Sequence, residues 1–207
     1  PHFKIGGDYY DHIKLNDNEF GFCIADVSGK GISAALLMSN FQASLRALFT
    51  AKIPLDELIN KLNQVVLQNT QGDKFITMFL GKYNYKTRIL KYVNAGHNPP
   101  TLFKSQTGNY SNLEWGCPGI GMLEEIPQVI VSEIMIPSKT KLLCYTDGVV
   151  EIEDENKKEI GLETIQAFIK HDDPIDKIIQ QLINKLGITQ GNKSVFDDIT
   201  ILGIEFY

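Results

Sequence analysis

Cysteine is scarce in this 207-residue chain: Cys23, Cys117 and Cys144 form an odd set without Cys-x-x-Cys spacing. That excludes a disulfide framework or a zinc ribbon and leaves reduced structural cysteines, with Cys23 and Cys144 in apolar strand contexts. No apolar run approaches the roughly 18 residues a membrane-spanning helix needs, and no signal peptide is visible. Excess positive charge is missing too. The formal net charge is −5, which argues against a general nucleic-acid or anionic-membrane surface. A nucleotide P-loop is absent, because Gly29-Lys30-Gly31 lacks the G-x-x-x-x-G-K-[ST] spacing. There is no internal repeat or low-complexity tract.

What is present suits one folded domain with a large core: 43% of residues are hydrophobic, and this length buries most of what an unfolded chain exposes. Tyr9 to Leu15 and Glu19 to Ala25 read as strands around the turn Asn16-Asp17-Asn18. Two helices follow, Ser33 to about Phe49 (apolar at Leu37, Phe41, Leu45 and Leu48) and one starting near Pro54 (Leu58, Leu62, Val65), with Asp56 and Glu57 in its first turn. Phe75 to Tyr83 and Arg88 to Asn94 read as a second hairpin. Pro100 to Lys104, Val129 to Ile136, Lys141 to Thr146 and Ile199 to Phe206 read as further strands. Helices are expected over Leu162 to Lys170 and from Pro174 to a stop at Gly187. Strands grouped with strands and helices in pairs point to an α+β fold with antiparallel sheets and helices outside.

The chemistry resides in acids at strand ends. Folding the first hairpin about Asp17 sets Asp8 opposite Asp26, where directly opposed side chains stand roughly 4.5–5.5 Å apart at Cβ and like charges destabilise. Asp147-Gly148 ends the Lys141 strand, and Asp197-Asp198 precedes the last one. Each alone reads equally as a solvated turn residue. Gathered at one sheet edge, carboxylates without His or Cys suit hard cations, Mg²⁺ or Mn²⁺, and clustered acids resist joint ionisation unless cations neutralise them.

Five segments occur in order: Gly6-Gly7-Asp8-Tyr9-Tyr10-Asp11, Asp26-Val27-Ser28-Gly29-Lys30-Gly31 with Ala34-Ala35-Leu36-Leu37-Met38, Asn94-Ala95-Gly96-His97-Asn98-Pro99-Pro100, Tyr145-Thr146-Asp147-Gly148-Val149-Val150-Glu151, and Phe196-Asp197-Asp198-Ile199-Thr200. Together they resemble the SpoIIE/RsbU-type branch of the metal-dependent (type 2C-like, PPM) serine/threonine protein phosphatases. The resemblance implies an α-β-β-α sandwich of two antiparallel sheets flanked by helix pairs. It also implies two ions, Mn²⁺ or Mg²⁺, held by Asp8, Asp26, Asp147, Asp197 and the Val27 carbonyl, with Asp26 bridging. Asp198 is the weaker choice of its pair. The implied reaction is direct attack of metal-activated water on a protein phosphoserine or phosphothreonine, with the same four aspartates as the catalytic set.

One departure concerns the proton donor. Many eukaryotic relatives carry a histidine two residues after the bridging aspartate, where this chain has Ser28. His97 is either a replacement or a residue that holds the loop before Pro99-Pro100, and Lys30 either meets phosphate or is solvated. The competing reading is an inactive or weakly active metal-binding regulatory or docking domain. The resemblance further implies a bacterial, cytoplasmic signalling setting. Its partners would be a phosphorylated protein substrate such as a STAS-domain anti-sigma-factor antagonist, an upstream sensor or regulatory domain, and a second copy in a homodimer. Beginning at Pro1, residues 1–207 read as a single domain excised from a longer chain.

Overall fold

The first hairpin fixes the geometry of everything near the site. In a computed structural model that describes residues 6–152, 161–170, 172–187 and 198–207, β1 (Tyr9–Lys14) and β2 (Glu19–Val27) are antiparallel. Their register pairs Tyr9 with Ala25 and Lys14 with Phe20, as folding about Asp17 predicts. The turn is held locally: Asn18 N–H donates to Asn16 Oδ1 at 2.7 Å, and Asn16 Nδ2 donates to Glu19 at 2.9 Å. Short amide side chains that bond the backbone two residues on are a standard way to close such a turn.

Strands β3 (Ile76–Asn84) and β4 (Ile89–Ala95) extend the sheet from β2. Two short strands share the outer edge of β4. β7 (Gly116–Cys117) pairs with its end and β8 (Ser132–Met135) with its start. β7 runs parallel to β4, the exception in otherwise antiparallel pairing. Gly116 makes that approach feasible, since a Cβ there would stand 1.9 Å from the Asn94 carbonyl oxygen. The second sheet has the order β10 (Ile201–Phe206), β9 (Thr140–Tyr145), β5 (Thr101–Lys104), β6 (Asn109–Asn112).

Alternation along the strands sorts side chains into three apolar layers. Cys23, Ala25 and Val27 of β2 face α1 (Ile32–Leu48) and α2 (Leu55–Thr70). Phe22 and Ile24 face the other way, onto Leu102, Leu142, Cys144 and Phe206 of the second sheet. Leu143 and Tyr145 cover the far face against α3 (Gly161–Ile169) and α4 (Ile175–Lys185). The result is the expected α-β-β-α sandwich. Fully buried Phe41, Leu45, Leu58 and Leu62 each contribute about 1.5–3 kcal/mol by leaving water. The buried stripe of α2 runs through Leu55, Leu58, Ile59, Leu62 and Val66, with Val65 turned half outward. No helix among the described residues is long and apolar enough to cross a membrane.

Candidate active site

The hairpin register brings the first two acids together. One step beyond the Tyr9–Ala25 pair, Asp8 falls opposite Asp26, which itself pairs with Thr77 of β3. The Asp8 and Asp26 carboxyl groups share a hydrogen bond. Gly7 is the meeting point of the remaining groups. A Cβ at Gly7 would lie 3.6 Å from the Val27 carbonyl oxygen and 3.7 Å from Asp26 Oδ1, and Gly7 N–H donates to Asp198 Oδ2 at 2.8 Å.

The second sheet supplies the opposite side. β9 is followed directly by Thr146, whose hydroxyl donates to Asp8 Oδ2 at 2.8 Å and accepts from Thr200 N–H at 3.0 Å. Thr146 N–H donates to the Thr200 carbonyl at 3.1 Å, so the end of β9 is tied to the approach to β10. The chain then makes a single 3-10 turn over Asp147–Val149. Gly148 there is packed so closely that a Cβ would stand 2.2 Å from the Asp198 carbonyl oxygen. Asp8, Asp26, Asp147 and Asp198 thus gather at one end of the sandwich, drawn from both sheets. Asp197 lies outside the described residues.

Burial raises the Asp8 carboxyl above its ordinary pKa. Hydrogen bonds with Thr200, Thr146 and Asp26 offset part of that shift, and the Asp198 charge adds to it. Such an environment disfavours an added negative charge unless a cation neutralises it. The donors are all oxygen, which fits a hard divalent ion. Among the described residues, no three His, Cys, Asp or Glu side chains converge tightly enough to form a ligand set on their own.

A cleft of about 340 Å³ is lined by Asp26, Val27 and Asp147 together with the Ser28–Lys30 loop, Thr77 and the Gly96–Asn98 loop. Ser28, two residues after Asp26, is a stitch. Its N–H donates to the Phe75 carbonyl and its hydroxyl oxygen accepts from Phe75 N–H, both at 2.9 Å. Lys74 Nζ donates to its carbonyl at 3.2 Å. Gly29, at φ +87°, and Gly31, at φ +81°, let the loop pass into α1, a conformation that side chains with a Cβ resist.

His97 is buried, and burial lowers its pKa to about 4. The ring is therefore uncharged near neutrality and holds no imidazolium proton to give a leaving oxygen. Its Nδ1 lies 3.1 Å from Thr77 Oγ1. The backbone around it is pinned by Asn94: Asn94 Nδ2 donates to the His97 carbonyl at 3.0 Å, and Asn94 Oδ1 accepts from His97 N–H at 2.8 Å.

Sequence reasoning missed the supports: Gly7, Thr77, Asn94, Thr146 and Thr200. Thr146 and Thr200 lie inside the quoted segments, one before Asp147 and two after Asp198, and that adjacency was the available signal.

Comparison with known proteins gives this fold and its acid cluster a family. The profile described as Stage II sporulation protein E (SpoIIE) matches residues 16–207. Phosphoserine phosphatase RsbU of Bacillus subtilis (strain 168) is 31% identical over 156 residues, covering 75% of this chain and 46% of that protein. The SiaA-PP2C domain of Pseudomonas aeruginosa superposes with a TM-score of 0.84 at 17% identity, covering 100% of this chain and 83% of that one. RsbX, solved in complex with magnesium, superposes with a TM-score of 0.70 at 20% identity, covering 97% and 87%. The chain belongs to the SpoIIE family and is similar to RsbU. It spans 36% to 46% of the length of the curated relatives it matches.

Proposed function

We propose that this chain is the catalytic domain of a longer signalling protein and hydrolyses phosphoserine or phosphothreonine on a protein partner, using two divalent ions, Mn²⁺ or Mg²⁺. The observation that carries the reading is the convergence of Asp8, Asp26, Asp147 and Asp198 from both sheets onto one end of the sandwich, beside a cleft. The name of RsbU and the magnesium bound to RsbX support it.

Asp8, Asp26, Asp147, Asp197 and the Val27 carbonyl would hold the ions. Asp198 enters as a group bonded to Gly7 N–H and close enough to Asp8 to repel it. When bound, the ions supply a water-derived nucleophile at neutral pH and offset charge on the phosphoryl group. Asp26 joins the two sides of the site, because its strand neighbour Val27 offers a carbonyl and its carboxylate meets Asp8. Thr146 and Thr200 hold Asp8 in its orientation. Ser28 and Lys74 keep the Asp26–Gly31 loop against the start of β3.

The proposed substrate is a small regulatory protein of the STAS anti-sigma-factor-antagonist type, met in the bacterial cytoplasm, with an upstream sensor domain or homodimerisation as the input. A second reading is a docking domain of weak or no activity.

The experiment is hydrolysis of p-nitrophenyl phosphate and of a phosphoserine peptide with Mn²⁺, with Mg²⁺, and in excess EDTA. Turnover is expected only with metal, and Asp26→Asn is expected to cut it by orders of magnitude while circular dichroism stays native. Undiminished turnover in Asp26→Asn or in EDTA would sink the metal assignment. No turnover under any condition, with metal still bound, would favour the docking domain.

A further inference from the structure

Among the described residues three buried side-chain nitrogens have no hydrogen-bond partner: Arg88 Nη2, His97 Nε2 and Asn98 Nδ2. The first belongs to a guanidinium already bonded to the Ile136 and Tyr207 carbonyls, away from the cleft. The other two are adjacent in sequence, and both residues line the cleft that Asp26 and Asp147 line. Buried polar atoms in native proteins are nearly always paired, and an exception calls for a water, an ion or a ligand not yet accounted for.

The loop that carries them is built rigidly. The Asn94 amide bonds the His97 and Leu113 carbonyls at 3.0 and 3.1 Å. Gly96, at φ +66°, packs so that a Cβ would stand 3.0 Å from Gly119 N. Pro99 accepts a hydrogen bond from the Tyr145 hydroxyl at 3.2 Å. Thr77, the partner of His97 Nδ1, is the cross-strand neighbour of Asp26, so the ring is referenced to the acid cluster itself. In the tautomer whose Nδ1 accepts from the Thr77 hydroxyl, the ring hydrogen sits on Nε2, which makes that atom a donor. The Tyr145 carbonyl approaches the ring without giving Nε2 a hydrogen bond of acceptable geometry. Asn98 Nδ2 is a donor by chemistry.

Two neutral donors belong to residues that line the same cleft as the Asp26 and Asp147 carboxylates. Carboxylates take cations, and uncharged N–H donors in the same cleft take the oxygens of an anion that those cations attract. Tetrahedral oxyanions have oxygens pointing both ways and match this division.

We propose that the Gly96–Asn98 loop is the phosphoryl-oxygen subsite of the cleft, with His97 Nε2 and Asn98 Nδ2 donating hydrogen bonds to an oxygen of a phosphomonoester or of inorganic phosphate. The subsite rests on the phosphatase reading above. Neither nitrogen is open to water in the ligand-free arrangement, so binding draws the two side chains toward the anion by a rotamer-scale adjustment.

The test is calorimetric titration of inorganic phosphate into the Mn²⁺-loaded 207-residue chain, for the wild type, Asn98→Ala and His97→Gln, with Mn²⁺ affinity measured separately for each. Asn98 is half-buried, so Asn98→Ala keeps the test open if the buried His97 position does not tolerate change. Phosphate affinity is expected to fall about tenfold in Asn98→Ala, the scale of one hydrogen bond to a charged group, with Mn²⁺ affinity at the wild-type value. KM for p-nitrophenyl phosphate should rise in parallel. Unchanged phosphate affinity in both variants overturns the subsite and leaves the phosphatase reading standing. Loss of Mn²⁺ affinity in step with phosphate also overturns it, because the loop then only positions the metal ligands. A wild-type chain that binds Mn²⁺ but neither binds phosphate nor hydrolyses the ester overturns both.

Discussion

Thr146 donates its hydroxyl to Asp8 Oδ2 at 2.8 Å across 138 residues of chain. Asp8 precedes the hairpin of the first sheet and Thr146 follows β9 of the second, so this bond, together with Gly7 N–H to Asp198 Oδ2, ties the two halves of the acid cluster. Thr146 Oγ1 also accepts from Thr200 N–H, which leaves the hydroxyl hydrogen directed at Asp8. Thr146→Val keeps the shape and removes the hydroxyl. Its Mn²⁺ affinity should be about 10–100-fold weaker, the usual consequence of losing a group that orients a ligand. Calorimetric titration of Mn²⁺ reads this directly, and a wild-type isotherm would show that Asp8 needs no help from β9.

Gly148 packs against Asp198, with a Cβ destined for a point 2.2 Å from its carbonyl oxygen. Gly148→Ala must therefore push the Asp147 turn away from the segment before β10 that carries Asp198. Turnover should fall by orders of magnitude and the melting temperature should drop, whereas Gly108→Ala, at a turn with open space around it, should lower the melting temperature only slightly and spare turnover. Equal turnover in the two variants would mean that the turn tolerates displacement.

Lys82 is buried and points its ammonium at three carbonyls, those of Thr50, Ala51 and Ile53, at 3.3, 3.3 and 2.9 Å. These are the carbonyls of the link between α1 and α2, which no other helix turn satisfies. Burial lowers the Lys82 pKa, yet the carbonyl dipoles keep the ammonium in place. Lys82→Met retains the stem and removes the donors, and should cost about 2 kcal/mol in urea unfolding. An unaltered unfolding midpoint would show that water replaces the ammonium without loss.

His97 makes stability depend on pH with a definite sign. Burial lowers its pKa from 6.5 to about 4, so between those values the unfolded chain binds a proton that the native ring does not. The unfolded state gains from acidification, and His97 contributes a loss of stability as pH falls from about 6.5 toward 4, up to roughly 3 kcal/mol. His97→Gln should flatten this part of the stability profile measured by denaturant titration. A slope identical to wild type would place the acid sensitivity elsewhere.

Much of this was legible from residues alone, where local rules decide the outcome. The β1–β2 register followed from a turn at Asn16-Asp17-Asn18 and a period of two, and it placed Asp8 across from Asp26 before any coordinates. Pro54 with Asp56 and Glu57 marked the start of α2. The short strands β6 and β7 were not legible, because Asn109–Asn112 and Gly116–Cys117 carry no apolar alternation and exist through partners supplied by β5 and β4. The expected strand from Val129 shrank to Ser132–Met135, since Ile130 N–H turns instead to the Gly116 carbonyl.

The sequence by itself determined the acidic residues, the strand ends they occupy, and the alternation that sends Cys23 to the helices and Phe22 to the second sheet. Those features depend on side-chain chemistry and on the periods of strands and helices, which act over a few residues. Only the tertiary structure decided that Thr146 and Thr200 hold Asp8, that Ser28 is bonded to Phe75, and that two nitrogens of the 96–98 loop stay unpaired in the cleft. Each of these arises between segments far apart in sequence, brought together by strand pairing or by one sheet laid on the other, and that packing depends on the fit of whole layers rather than on any local stretch of chain.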